Sequence, residues 1–210
     1  EMPSATTIGK YAFNECKGLK SVELPNAISI GINAFYYCES LTSAKLPKVT
    51  GISVSAFDGC TKLANVEMPG ATSIGKNAFL NCTSLISAKM PKAISISDFA
   101  FRNCTSLTSV EMSSATTIGF QTFLSCTALT SIAMPIVTEI GVDAFFGCAK
   151  LASVEMPKVT TIGDKAFHGT ALTSVSLPSV TTIGINAFEG CTGLTSVEMP
   201  KVTKIVSYAF

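Results

Sequence analysis

Eight cysteines and a single histidine are the residues of this 210-residue sequence best suited to nucleophilic, redox or metal chemistry. Cys16, Cys38, Cys60, Cys82, Cys104, Cys126 and Cys148 follow one another at steps of 22 residues, and Cys191 comes after one gap in which Thr170 holds the slot. An even count invites disulfides, but the spacing argues against them. If the chain stacks one turn per period, equivalent residues lie ~4.8 Å apart with parallel side chains. A disulfide needs Cβ atoms at ~3.5 to 4.5 Å and converging. Nor can four metal ligands converge from one straight column. The cysteines are therefore expected to be unpaired, buried thiols that act as small hydrophobes. His168, the only histidine, stands near Asp164. A Cys–His dyad would need a thiol outside the core column and a third, orienting group, and neither is evident. No glycine-rich phosphate loop or paired-carboxylate signature appears. The sequence points to no enzyme, no cofactor and no metal.

The elements that would position these side chains come from one repeated stretch. Ile74-Gly75-Lys76-Asn77-Ala78-Phe79-Leu80-Asn81-Cys82, followed by Leu85-Ile86-Ser87-Ala88-Lys89-Met90-Pro91, recurs from end to end. Its phenylalanine falls at 13, 35, 57, 79, 101, 123, 145, 167, 188 and 210, a step of 22 except for 21 between Phe167 and Phe188. A fixed period of this size signals a solenoid. Within one repeat, Val154 and Met156 alternate with Ser153 and Glu155 and read as a short strand. Pro157 ends it, because proline cannot donate to a ladder. Val159-Thr160-Thr161-Ile162 suits a second short strand, Gly163 turns the chain, and Asp164-Lys165-Ala166-Phe167 reads as one helical turn. The leucine column from Leu19 to Leu194 and the isoleucine column from Ile8 to Ile205 never break. Glycine after that isoleucine is replaced at Ser53, Ser97 and Val206, so this turn does not strictly demand positive φ.

The run L-x-x-V-x-L-P-x-x-x-x-I-G-x-x-A-F-x-x-C resembles the BspA-like (Treponema-type) leucine-rich repeat over the whole chain. With the residue reading, this gives an α/β solenoid: a right-handed leucine-rich repeat superhelix of about ten 22-residue repeats. A parallel sheet would line the concave face and short helical turns the convex face. The resemblance implies a cell-surface or secreted protein of a host-associated microbe, engaged in adhesion or protein binding. Two departures stand out: there is no Asn ladder of the commoner leucine-rich repeats, and the repeat is a residue or so shorter. Residues 1–210 read as a single solenoid domain. Both ends fall inside a repeat with no polar cap of the kind terminal repeats need. The chain is therefore expected to be a fragment of a longer protein, able to associate end to end.

Composition narrows the partners. The chain is 47% hydrophobic and 14% charged, with net charge +1 and mean hydropathy +0.44. No apolar run approaches the ~18 to 20 residues of a spanning helix, so membrane insertion is not expected. No polybasic patch recommends nucleic acid, and Lys48, Lys92, Lys158 and Lys201 read as solvated edge charges.

A protein partner remains, and two surfaces could serve it. Outward strand positions form a column that is serine except at Asn65, beside Glu23, Lys45, Glu67, Lys89 and Glu111, which alternate in sign. This reads as a self-compatible ladder or as a groove of small residues, without the Trp, Tyr and Arg anchors of hot spots. The absence of tryptophan also weakens a sugar-stacking platform. On the turn face, residues two and six past the isoleucine share a side. Phe120, Leu124, Val142 and Phe146 fall there in consecutive repeats and would form one apolar patch. Such patches often mark interaction sites; partial cover by neighbouring turns, or a contact between copies of the chain, are the alternatives. Tyr11, Tyr36 and Tyr37 form a second candidate. The function expected is a non-catalytic binding module, with a structural spacer that displays another domain as the alternative.

Overall fold

The computed structural model describes residues 2–210. Each turn of chain contributes two short strands. Two-residue strands from Thr7–Ile8 to Thr182–Ile183 pair in parallel as one unbroken nine-stranded sheet. Three-residue strands from Ser21–Glu23 to Ser196–Glu198 form the second ladder. Pairing is in register, so Ile74 faces Ile52 and Ile96, and Ser87 faces Asn65 and Ser109. This is a parallel-strand solenoid of nine complete turns, one fewer than the phenylalanine count suggests: Ile205 lies outside any strand and is exposed.

The expected helical turns are absent; no helix occurs among the described residues. The segment after each isoleucine is instead two successive four-residue turns. In Gly31–Ala34, Ala34 N donates to Gly31 O at 3.2 Å, and in Phe35–Cys38, Cys38 N donates to Phe35 O at 3.2 Å. The third residue of each, Asn33 and Tyr37, has φ of 54° and 52°, the signature of type II turns. Every residue with positive φ falls in the same two columns, three and seven past the isoleucine. An α-helix cannot run through left-handed residues. The alternate amides then point along the stack: Asn33, Phe35 and Tyr37 donate to Val54 O, Ala56 O and Asp58 O of the next turn, at 2.8 to 3.1 Å. A helix would spend those donors internally; here they hold one turn to the next. Gly75 does not have positive φ, but an added Cβ would lie 2.7 Å from Ile52 O of the preceding turn, so close approach is what favours glycine after the isoleucine.

The core is one continuous column of buried side chains. Ten phenylalanine rings from Phe13 to Phe210 stack face to face, with centroids 5.0 to 5.4 Å apart and planes within 12°. The ladder of three-residue strands breaks twice: between Ser109–Glu111 and Ser131–Ala133, and between Ser153–Glu155 and Ser174–Ser176. The second break follows the 21-residue repeat. There the chain runs Thr170-Ala171-Leu172 and lacks the turn closed elsewhere by bonds such as Leu151 N to Cys148 O, 2.9 Å.

Candidate functional site

Seven of the eight cysteines are shut away in the core. All eight are free, and all but Cys16 are buried. Each buried thiol donates to the carbonyl of a phenylalanine one turn back: Cys38 Sγ to Phe13 O at 3.0 Å, Cys104 to Phe79 at 3.2 Å, and Cys191 to Phe167 at 3.2 Å. The thiols are thus small hydrophobes that also satisfy a buried acceptor. Burial pushes Cys38 up to about 11 and Cys148 up to about 12, and raises Cys60, Cys82, Cys104, Cys126 and Cys191. Thiolate, the nucleophilic form, is therefore suppressed. Thr170 keeps the missing slot polar, with Oγ1 3.2 Å from Cys191 Sγ. Alkylation of the folded protein is expected to modify Cys16 alone, and of the unfolded protein all eight, as mass spectrometry would count. Labelling of several buried thiols under native conditions would contradict this packing.

The serine face carries less electrostatic pairing than its alternating charges suggest. Lys45 lies 3.9 Å from Glu23, and among the described residues no other pair of that column closes to an ion pair. Ser176 instead donates to Glu198 at 2.9 Å.

The turn face carries large side chains in several consecutive repeats. Phe120 and Val142 are exposed, at 37% and 40%, while Leu124 and Phe146 are half-buried. The ladder bonds Gln121 N to Val142 O and Ser125 N to Phe146 O, both 2.9 Å, fix the two turns side by side. Aromatic contacts extend the patch at both ends. Phe99 meets the Phe120 ring edge-on, with centroids 5.1 Å apart. Lys76 and Arg102 sit over the Phe99 ring at 5.4 and 5.7 Å. At the other end, His168 stacks on Phe146 at 4.7 Å, and its Nε2 lies 3.4 Å from Glu189. Arg102 Nη1 donates to Gln121 Oε1 at 2.8 Å, and Gln121 Nε2 to Asp143 at 3.0 Å. The patch is thus a fixed row of aromatic and aliphatic groups with charges of both signs at each end, Asp98 and Arg102 at one and Asp164, His168 and Glu189 at the other. Asp164 does not pair with His168; its Oδ1 accepts from Ile185 N at 2.8 Å. The tyrosine group is looser: Tyr36 and Tyr37 touch at 4.6 Å, Tyr37 covers Gly59, and Tyr11 lies apart beneath Lys10.

The model of the BspA type leucine rich repeat region matches residues 2–95 and 116–210 in six copies. The chain belongs to the BspA-type leucine-rich repeat family. Three solved structures agree. A leucine-rich repeat protein of Bacteroides ovatus is 30% identical, with TM-score 0.82, over 92% of this chain and 52% of its own. A leucine rich cell surface protein of Faecalibacterium prausnitzii is 30% identical with TM-score 0.71, over 97% and 67%. The T. pallidum leucine-rich repeat protein is 31% identical with TM-score 0.69, over 90% and 82%. This BspA-type chain spans about half the length of the Bacteroides ovatus protein. No curated protein matches its sequence. No helix among the described residues is long and apolar enough to cross a membrane, and no group of three His, Cys, Asp or Glu there could hold a metal ion.

One buried acid of this BspA-type chain lies six past an isoleucine, in the column of Leu124 and Phe146. Asp58 is 6% exposed and its Oδ1 has no hydrogen-bond partner. Burial pushes its carboxyl up to about 6, against hydrogen bonds from Asn81 and Ser55. The folded state then holds the proton more tightly than the unfolded state, whose carboxyl keeps the usual value near 4. Its stabilising contribution is full below that value and is lost as pH rises through about 6. Between pH 5 and 7.5 the wild type should lose on the order of 1 to 3 kcal/mol relative to Asp58→Asn, read from denaturant melts at each pH. Parallel pH profiles for the two proteins would refute the assignment.

Proposed function

We propose that this chain is a non-catalytic protein-binding module of a cell-surface or secreted microbial protein, used in adhesion or host-protein contact. The observation that carries the reading is the turn-face row of Phe120, Val142, Leu124 and Phe146, where a self-sufficient stack would need only small polar residues. Large aromatic side chains with an arginine beside them are what protein recognition sites favour. Family membership supports the module as an interaction scaffold, and the cell-surface relative in Faecalibacterium prausnitzii supports the location. In this reading the serine face is the concave side of a right-handed superhelix and the turns are its outer rim. The module works as one domain within a longer protein.

The test is a pull-down from extracellular-matrix and serum proteins with the wild type beside Phe120→Ser/Phe146→Ser. Capture that the variant loses supports recognition on the turn face. Capture that a folded variant retains would place recognition elsewhere. No capture by either would favour a spacer, a reading consistent with the unbroken core.

A further inference from the structure

We propose that the turn-face patch pairs with the same patch on a second copy of the chain, across a two-fold axis running along the stack. This rests on the reading of the patch as an interaction surface and names its occupant. Four successive turns carry, at the two outward columns, Asp98/Arg102, Phe120/Leu124, Val142/Phe146 and Asp164/His168. An axis parallel to the stack and midway between the columns exchanges them while keeping each row level. Asp98 then faces Arg102 of the second copy, and Asp164 faces its His168, each contact occurring twice as an isologous interface requires. Between them Phe120 meets Leu124, and Val142 meets Phe146. The result is an apolar centre with a charged rim at both ends, the usual anatomy of a protein interface.

The alternative two-fold, perpendicular to the stack, would set Asp98 against Asp164, a like-charge contact that disfavours it. Nearest the parallel axis lies the column between the two outward ones: Phe99, which touches both Phe120 and Arg102, then Gln121, bonded to Arg102, and in the same column Asp143 and Lys165. Asp143 and Lys165, so placed, each meet their own counterpart across the axis, and because they lie in adjacent rows each also finds the opposite charge diagonally in the other copy. The rim groups are already oriented. Asp98 Oδ1 accepts from Phe120 N at 2.9 Å and Asp164 Oδ1 from Ile185 N at 2.8 Å, which leaves the second oxygen of each for a partner. Arg102 is held over Phe99 and by Gln121, and His168 against Phe146. Groups fixed beforehand lose less entropy on association. Four rows make a small contact, at the weak end of interface sizes, which display of many copies on one surface would strengthen.

Sedimentation velocity with Asp98→Arg and Arg102→Asp, alone and mixed, decides the matter. The wild type should move from monomer toward dimer as concentration rises. Each variant alone faces its own charge and should stay monomeric; the equimolar mixture brings opposite charges together at both sites and should recover the dimer. Asp164→Lys mixed with His168→Asp repeats the exchange at the other rim should Arg102→Asp fold poorly. A wild type that stays monomeric, variants that dimerise as it does, or folded mixtures that stay monomeric would each overturn the pairing. Capture of a matrix or serum protein by a monomeric wild type, lost in Phe120→Ser/Phe146→Ser, would overturn the pairing while leaving the proposed function standing.

Discussion

Phe101→Ala is expected to cost on the order of 3 to 5 kcal/mol and to divide the solenoid into two cooperative blocks. The ring is fully buried and lies between Phe79 at 5.1 Å and Phe123 at 5.4 Å. Its removal leaves a cavity and ends two stacking contacts, each worth about 0.5 to 1.5 kcal/mol beyond burial. In a repeat protein each turn is stabilised chiefly by its neighbours, so a weakened junction separates what lies on either side. A denaturant melt should change from one transition to two, or shift strongly to lower midpoint. Phe13, half-buried and stacked on one side only, should lose distinctly less when truncated. A loss below about 1 kcal/mol at Phe101, within the range of surface substitutions, would mean the stacked rings are not the main tie between turns.

The second large effect is at Ser125. Its φ is 60°, and its amide donates to Phe146 O at 2.9 Å. Ser125→Pro would both remove that donor and force φ to about −65°, so a cost of about 3 kcal/mol or more is expected. Ser125→Gly should go the other way, by up to about 1 kcal/mol, because glycine has no Cβ to strain in this conformation. Gly59, Gly147, Gly169 and Gly190 already occupy the column. Thermal melts of the two variants should therefore diverge in opposite directions. Equal destabilisation by both would indicate that the side chain, not the backbone, matters there.

The 22-residue step and the unbroken Ile, Leu and Phe columns carried the architecture, because a parallel in-register stack turns sequence period directly into spatial contact. The stacked rings and unpaired thiols followed from the same geometry. The helical turn was misread because Asp-Lys-Ala-Phe is locally acceptable helix. The contrary signal lay across repeats: Asn33, Asn77 and Asn186 in one column, and Asn81, Asn103 and four glycines in the other, the residue types that tolerate positive φ. Read one repeat at a time, that signal is invisible. Phe120 and Val142 were legible as exposed and apolar, while Leu124 and Phe146 are half-buried, the partial cover that the repeat pattern left open. The flanking contacts of the patch were not legible, since Arg102 over Phe99 and His168 on Phe146 depend on side-chain reach between columns that period alone does not fix. The burial of Asp58 was not legible for a related reason: it shares the half-buried column of Leu124 and Phe146, and its bonds from Asn81 and Ser55 depend on the neighbouring turns.

The strict register between turns also bears on inheritance. Contacts between turns join residues one period apart, and no partner is held by long-range identity of position. Recombination that adds or removes a whole period in phase, residues 80–101 for example, leaves each column continuous and each amide with a carbonyl to meet. An out-of-phase exchange would misalign every turn beyond it. Between Thr170 and Leu172 the chain omits one residue, and the phenylalanine stack and the nine-stranded sheet continue past it while the three-residue ladder does not. Length in such a protein is a variable that selection can tune by whole turns, and the spacing between a binding patch and the rest of the molecule is tuned with it.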